Sequence, residues 1–204
     1  MPSSRFENLD PAKRQRVFDA AVAEFAQHPF ENSSITRIVR RLGIAKGSMY
    51  QYFENKRALY RYVVTEVYEK KRSYLQPVLD QDMDFFTRLK RYYQQSYVFA
   101  QDNPLYHQVT VHFWETKDES LRRFIDETKQ IRALDFTTMF HQAVQEGDVK
   151  DNIDERIAFF VYHSVGKELI EGFLNLPPRR TEDHLRFIES VLTVLEQGLS
   201  TGNK

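Results

Sequence analysis

An all-α fold of about nine helices follows from three features of the sequence. Seven glycines and seven prolines are few for 204 residues. Apolar residues recur three and four positions apart over long stretches, and period-two alternation is almost absent. No internal repeat or low-complexity tract interrupts the pattern, and the breaks fall where proline, glycine or Asn/Asp cluster.

Asp10 and Pro11 open the first helix as N-cap and first helical residue. Val17, Phe18, Ala21, Val22 and Phe25 give it one apolar face, so it is predicted over 11–27. Ser34 is placed to cap a short second helix carrying Ile35, Ile38, Val39 and Leu42, which Gly43 ends by taking the left-handed conformation. A third helix follows over 46–52, then a long one over 56–80 with Leu59, Tyr60, Val63, Val64, Val67 and Tyr68 on its apolar face. Further helices are predicted at 82–102, 104–115, 119–146, 154–174 and 181–198. Asn103-Pro104, Gly147-Asp148 and the stretch 175–179 separate them, and Pro178, Arg179 and Arg180 should form an exposed connection.

Composition narrows the function. The absence of cysteine removes disulfides, thiolate metal sites and thiol nucleophiles, and suits a reducing cytoplasm. No run approaches the roughly 20 apolar residues of a membrane span, and the N-terminus lacks the apolar stretch of a signal peptide. A soluble cytoplasmic protein without membrane partners is expected. The formal charge is zero, yet residues 1–60 hold ten Lys/Arg against six Asp/Glu. Between Ser33 and Arg57 there are six basic residues and one acidic, Glu54. That local excess suits a polyanion, or a solvated charged face.

The segment Ser34 to Phe53 decides between them: a short amphipathic helix, a tight glycine turn and a second short helix. In such a unit the first helix crosses the phosphate backbone and the second enters the major groove of double-stranded DNA. Met49 and Phe53, four apart, should face inward with Leu42 and Ile44. Ser48, Gln51 and Tyr52 should face outward. The amide of Gln51 can pair with an adenine edge, the Ser48 hydroxyl can donate or accept, and Tyr52 can meet a thymine methyl or a phosphate. Phosphate contacts are expected from Ser34, Thr36, Lys46, Tyr50, Lys56 and the exposed amides at a helix start, including Gly47. Arg37 fits a phosphate contact or a solvated face equally, and Arg40 and Arg41 fit the solvated face better.

The residues from Phe25 to Leu59, with Lys46-Gly47-Ser48 followed by an apolar residue, then Tyr50, Tyr52-Phe53 and Lys56 at fixed spacing, closely resemble the DNA-binding segment of the TetR (tetracycline repressor) family. The resemblance implies a helix-turn-helix domain over 1–55 and a larger effector-binding and dimerisation domain over 56–204. It further implies a homodimer formed through the last two helices and, most commonly, repression relieved by a small ligand. Two departures stand out. Pro29 replaces the usual glycine after the first helix, so that helix must end without a positive φ. Ala45 replaces a common serine, removing one phosphate contact and a helix cap worth about 1 kcal/mol.

Residues 85–163 are rich in aromatics. Most must be core, but a helical bundle lined with Tyr, Trp and His can also enclose a largely apolar or aromatic effector. The candidate contributors are Tyr93, Tyr97, His107, Phe113, Trp114, Phe136, Met139, Phe140, Phe159 and His163. The last two helices show broad apolar faces, from which Tyr162, Val165, Leu169, Phe173, Leu185, Ile188, Leu192 and Leu195 are assigned to a two-fold contact with a second copy.

Enzymatic chemistry finds no support. The six histidines include neither a His-Glu-x-x-His pattern nor an i, i+4 pair, and there is no glycine-rich phosphate loop or Gly-x-Ser-x-Gly turn. No catalytic residue, metal or cofactor is assigned. A helical scaffold whose basic N-terminus meets an acidic protein is the other alternative, and salt-dependent, sequence-selective duplex binding separates the two.

Overall fold

A computed structural model describes residues 2–174 and 180–200, with the side chains at 131–135 and 173 outside the described set. Ten α-helices occur among these residues: α1 (Ser4–Glu7), α2 (Pro11–Gln27), α3 (Ile35–Leu42), α4 (Lys46–Tyr52), α5 (Lys56–Leu79), α6 (Phe85–Asp102), α7 (Pro104–Glu115), α8 (Arg122–Gln145), α9 (Glu155–Leu174) and α10 (Thr181–Leu199). Single 3-10 turns stand at Phe30–Asn32 and Glu119–Leu121. An isolated antiparallel bridge joins Val149 and Ser200, and no strand occurs among the described residues.

The nine expected helices are present, and the tenth, α1, was not anticipated. A four-residue helix with one apolar residue, Phe6, has no period to read. Three helix starts that differ from expectation are set by carboxylates. Asp84 accepts from the amide and hydroxyl of Thr87 at 3.0 and 2.7 Å, starting α6 at 85 rather than 82. Asp118 accepts from Ser120 N at 2.8 Å, producing a 3-10 turn before α8. Asp154 likewise accepts from Arg156 N at 2.8 Å at the start of α9. The expected break at 175–179 lies outside the described residues, and Arg180 beside it is exposed.

The chain forms two compact units. The first comprises residues 1–71 and 103–128, the second 72–102 and 129–204. The first unit's core is built on Phe18, Val22 and Phe25 of α2, Ile38 and Val39 of α3, and Leu59, Val63 and Val67 of α5. Val109 and Phe113 of α7 complete it, both fully buried. α7 packs along α2, and His112 Nδ1 lies 2.9 Å from the carbonyl oxygen of Phe25. In the second unit α6, α9 and α10 pack together around Phe85, Tyr97, Phe136, Phe140, Tyr162, Ile188 and Leu192. Tyr93 lies on Gly166 of α9, where a Cβ would meet the ring at 1.8 Å, and its hydroxyl donates to Tyr162 O at 2.9 Å.

Candidate nucleic-acid interface

The short α3 and α4 are too brief to persist alone, so tertiary packing must hold them. Gly43 turns the chain between them at φ 67°, in the left-handed region. Its amide and that of Ile44 donate to Arg40 O and Val39 O, closing the end of α3. Met49 and Phe53, each 1 % exposed, point into the first unit's core as expected. This orientation leaves Lys46, Gly47, Tyr50 and Gln51 exposed and Ser48 half-buried. The outer face of α4 therefore offers an ammonium, backbone, a phenol and an amide, the groups that phosphates and base edges require. Thr36 is exposed on α3, beside Arg40 and Arg41. Ala45 supplies no side-chain cap to α4, in keeping with its chemistry.

Four of the expected contacts are placed differently. Ser34 does not cap α3 with its side chain; its amide instead donates to Glu24 Oε1 at 2.7 Å. Arg37 faces the same carboxylate, with Nη2 at 2.6 Å and Nε at 2.9 Å from Oε1, and Nη2 also donates to Asn32 O at 2.7 Å. Its guanidinium thus fastens α3 to α2. Lys56 directs its ammonium inward, donating to Phe30 O at 2.6 Å and Ser33 O at 3.2 Å, and lies over the Phe30 ring. Tyr52 is half-buried, its ring 5.9 Å from Phe6, so it is not the fully outward group that its spacing suggested.

Pro29 has the effect expected of it. α2 ends at an extended His28 with φ −137°, and Pro29 then starts the 3-10 turn that carries Phe30 into the core. The carbonyls of this turn and the loop after it are those that Lys56 collects. Glu24 is the functional-site residue that the sequence reading passed over. It lies seven residues after Val17 and three after Ala21, on the buried face of α2, and is 3 % exposed. An acid at a core position opposite a basic helix was the available signal. Burial opposes its ionisation, but the Arg37 guanidinium and the Ser34 amide outweigh this and hold its pKa below the usual carboxylate value.

The N-terminal helix adds a second unanticipated support. Phe6, 2 % exposed, packs against Phe53 at 4.7 Å and Tyr62 at 5.2 Å. Ser3 N donates to Tyr52 O at 2.9 Å, and Ser3 Oγ donates to Gln51 O at 2.7 Å.

The residues considered for an effector separate by unit. His107, Phe113 and Trp114 belong to the first, where Phe113 packs on Tyr68, Trp114 and Phe124. Burial, with the charge of Lys71, lowers the pKa of His107. Tyr93, Tyr97, Phe136, Met139, Phe140, Phe159 and His163 belong to the second. There Phe136 lies 5.9 Å from Phe140 and 5.5 Å from Phe159, which stacks on His163 at 5.4 Å. The Tyr97 hydroxyl meets His184 Nδ1 at 2.5 Å.

The residues expected at a dimer face divide by their burial within one chain. Tyr162, Leu169, Ile188 and Leu192 are at most 7 % exposed within one chain, because they hold α9 and α10 in the second unit's core. Val165, Leu185 and Leu195 are half-buried against that core, and the Phe173 side chain lies outside the described residues. Among the described residues, the exposed large apolar side chains on these helices are Ile157, Phe160, Phe187 and Val194. A broad apolar face cannot by itself say which edge is core.

Among the described residues no helix is long and apolar enough to cross a membrane, and no group of three or more His, Asp or Glu is placed to hold a metal. The family model "Bacterial regulatory proteins, tetR family" matches residues 17–63, from α2 through α4 into α5. An uncharacterized HTH-type transcriptional regulator of Haemophilus influenzae is 24 % identical over 147 residues, covering 72 % of this chain and 75 % of that protein. The crystal structure of a TetR-family transcriptional regulator from Chloroflexus aurantiacus superposes with a TM-score of 0.77 at 27 % identity, over 98 % of this chain and 99 % of that one. The regulator FadR of Bacillus subtilis, in complex with stearoyl-CoA, shares the fold with a TM-score of 0.75 at 18 % identity, over 90 % and 98 % of the two chains. The family match covers the helix-turn-helix whose outer face is built from Lys46, Gly47, Tyr50 and Gln51, and the similarity of fold extends over the remaining helices: residues 17–63 match the tetR family of bacterial regulatory proteins, and the described chain has the fold of a TetR-family transcriptional regulator.

Proposed function

We propose that this chain is a ligand-responsive repressor, which binds operator DNA as a homodimer and leaves it when a small, largely apolar or aromatic effector enters the part of the chain over 56–204. The observation that carries the reading is the outer face of α4. Its polar groups stand in solvent while Met49 and Phe53 fix the helix from beneath. Residues 1–55 then form the reading head, with Ser48 and Gln51 toward bases and Lys46, Tyr50, Thr36 and the Gly47 amide toward phosphate. The inward ammonium of Lys56 and the Glu24-bound guanidinium of Arg37 suit them to shaping this surface.

The aromatic interior of the second unit, with Tyr93, Phe136, Met139, Phe159 and His163 near one another, supports an apolar effector. So does the stearoyl-CoA bound by the Bacillus subtilis protein of the same fold. Exposed Ile157 and Phe160 on α9, and Phe187 and Val194 on α10, support self-association. They are spaced three and seven apart, so each pair shares one helix face. In a dimer the two copies of α4 must match successive major grooves about 34–36 Å apart, or a multiple of that spacing. An effector releases the operator only by binding more tightly to the dimer with another spacing.

Selection of duplexes from a random library by the full-length protein tests the reading. One enriched, two-fold-symmetric sequence and a steep loss of affinity with salt are expected. Gln51→Ala should relax preference at one position of each half-site, at a cost of about 1–3 kcal/mol on the selected duplex. Lys46→Ala should weaken all duplexes alike. Equal affinity for every duplex, or for none, refutes the proposal.

A further inference from the structure

We propose that Ser3 and Phe6 form an N-terminal clip that sets the position of Gln51, making them positioning residues for operator selectivity. This rests on the assignment of α4 as the base-reading helix. α4 has seven residues and no side-chain cap at Ala45. Its ladder ends with Phe53 N donating to Met49 O. The carbonyls of Gln51 and Tyr52 fall in the last turn, where a helix has no donors of its own. Ser3 supplies both: its hydroxyl donates to Gln51 O at 2.7 Å and its amide to Tyr52 O at 2.9 Å.

The same hydroxyl accepts from Phe6 N at 3.4 Å, capping α1. One side chain therefore closes the start of α1 and the end of α4. Phe6 keys the pair into the core between Tyr52, Phe53 and Tyr62, and Arg14 Nη1 donates to Glu7 O at 3.2 Å, tying the far end of α1 to α2. The support acts on the turn that carries Gln51, while Lys46 and Gly47 sit at the other end of α4. Pairing with a base edge needs a site held to within about 0.5 Å, whereas a flexible lysine follows a phosphate through larger displacements. Loosening the clip should cost selectivity and spare general affinity.

The test compares the full-length protein with its Ser3→Ala, Ser3→Thr and Phe6→Leu variants on two probes at one salt concentration. One is the duplex that the wild-type protein enriches, the other a random-sequence duplex. Ser3→Ala and Phe6→Leu should lower the ratio of the two affinities about three- to tenfold, leaving random-duplex affinity within about twofold. Ser3→Thr should restore the ratio. In a Gln51→Ala background neither variant should lower it further, since the clip acts through that residue. Equal weakening on both probes, or no change on either while Gln51→Ala alone lowers the ratio, overturns the clip and leaves base reading intact. A ratio unmoved by Gln51→Ala overturns the base-reading assignment, and the clip with it.

Discussion

Two glycines on α9 give the same substitution opposite signs. At Gly166 an added Cβ would meet Tyr93 Cε1 at 1.8 Å and Cζ at 2.3 Å, while at Gly172 no atom of the described residues outside its own stretch of helix lies within 4 Å. Replacing a helical glycine by alanine gains about 0.5–1 kcal/mol from backbone entropy at either position. At Gly166 the Tyr93 ring must swing away. Such overpacking costs about 1–3 kcal/mol, and losing the Tyr93 bond to Tyr162 O adds about 1 kcal/mol. Gly166→Ala should therefore lower stability by about 1–3 kcal/mol net, a fall in Tm of about 3–10 °C for a chain of this size. Gly172→Ala should raise Tm by about 2 °C. Thermal unfolding of both variants and wild type at one protein concentration, followed by circular dichroism, measures the difference; equal concentration matters because self-association shifts Tm. A Gly166→Ala protein as stable as wild type would refute the close packing of Tyr93 of α6 on Gly166 of α9.

The Glu24 carboxylate links the reading head to acidity. Its pKa lies below the usual 4.5 in the folded chain. The stability it contributes is thus present above the unfolded-state pKa and is lost as pH falls through the lower folded value. Glu24→Gln should flatten urea-unfolding stability across that acidic window; an unchanged pH profile counts against the Glu24–Arg37–Ser34 cluster as its source. Phe160 is 69 % exposed, so Phe160→Asp should leave helical content and monomer fold unaltered. If wild type forms the proposed dimer, sedimentation equilibrium should show Phe160→Asp as a monomer at the same concentration, and a persisting dimer removes α9 from the interface.

The spacing of apolar residues carried nearly all of the secondary structure, because long helices such as α2, α5 and α6 bury residues three and four apart along one face. The helix-turn-helix was legible through Gly43, whose role is local backbone geometry, and through Met49 and Phe53, whose four-residue spacing puts them on one buried face. What escaped the sequence was pairing at a distance. Glu24 meets Ser34 and Arg37 ten and thirteen residues later, and Lys56 reaches back to Phe30 and Ser33. Ser3 binds carbonyls 48 and 49 residues away. No periodicity encodes such contacts, so the outward direction of Tyr52 followed only from helical phase, and the phosphate contact of Lys56 only from its place at a helix start. Burial on the last two helices was illegible for a related reason: α9 and α10 are apolar on more than one side, and only packing reveals that Ile188 and Leu192 are interior while Phe187 and Val194 are not.

The first unit is discontinuous along the chain, and this bears on how such a reading head can be moved between proteins. Its core includes Val109, Phe113 and Leu121, supplied from beyond residue 103 and fully buried against side chains of α2 and α5. A fragment cut after residue 55 or 71 would expose that apolar seam and lose the His112 contact that meets the end of α2. Grafting α2 to α4 onto a foreign effector domain would therefore need α7 as well, with its 3-10 turn. In this chain the compact unit that carries α4 is built from two separated stretches of sequence, and recombination that exchanges the N-terminal stretch alone would have to repair the face it uncovers.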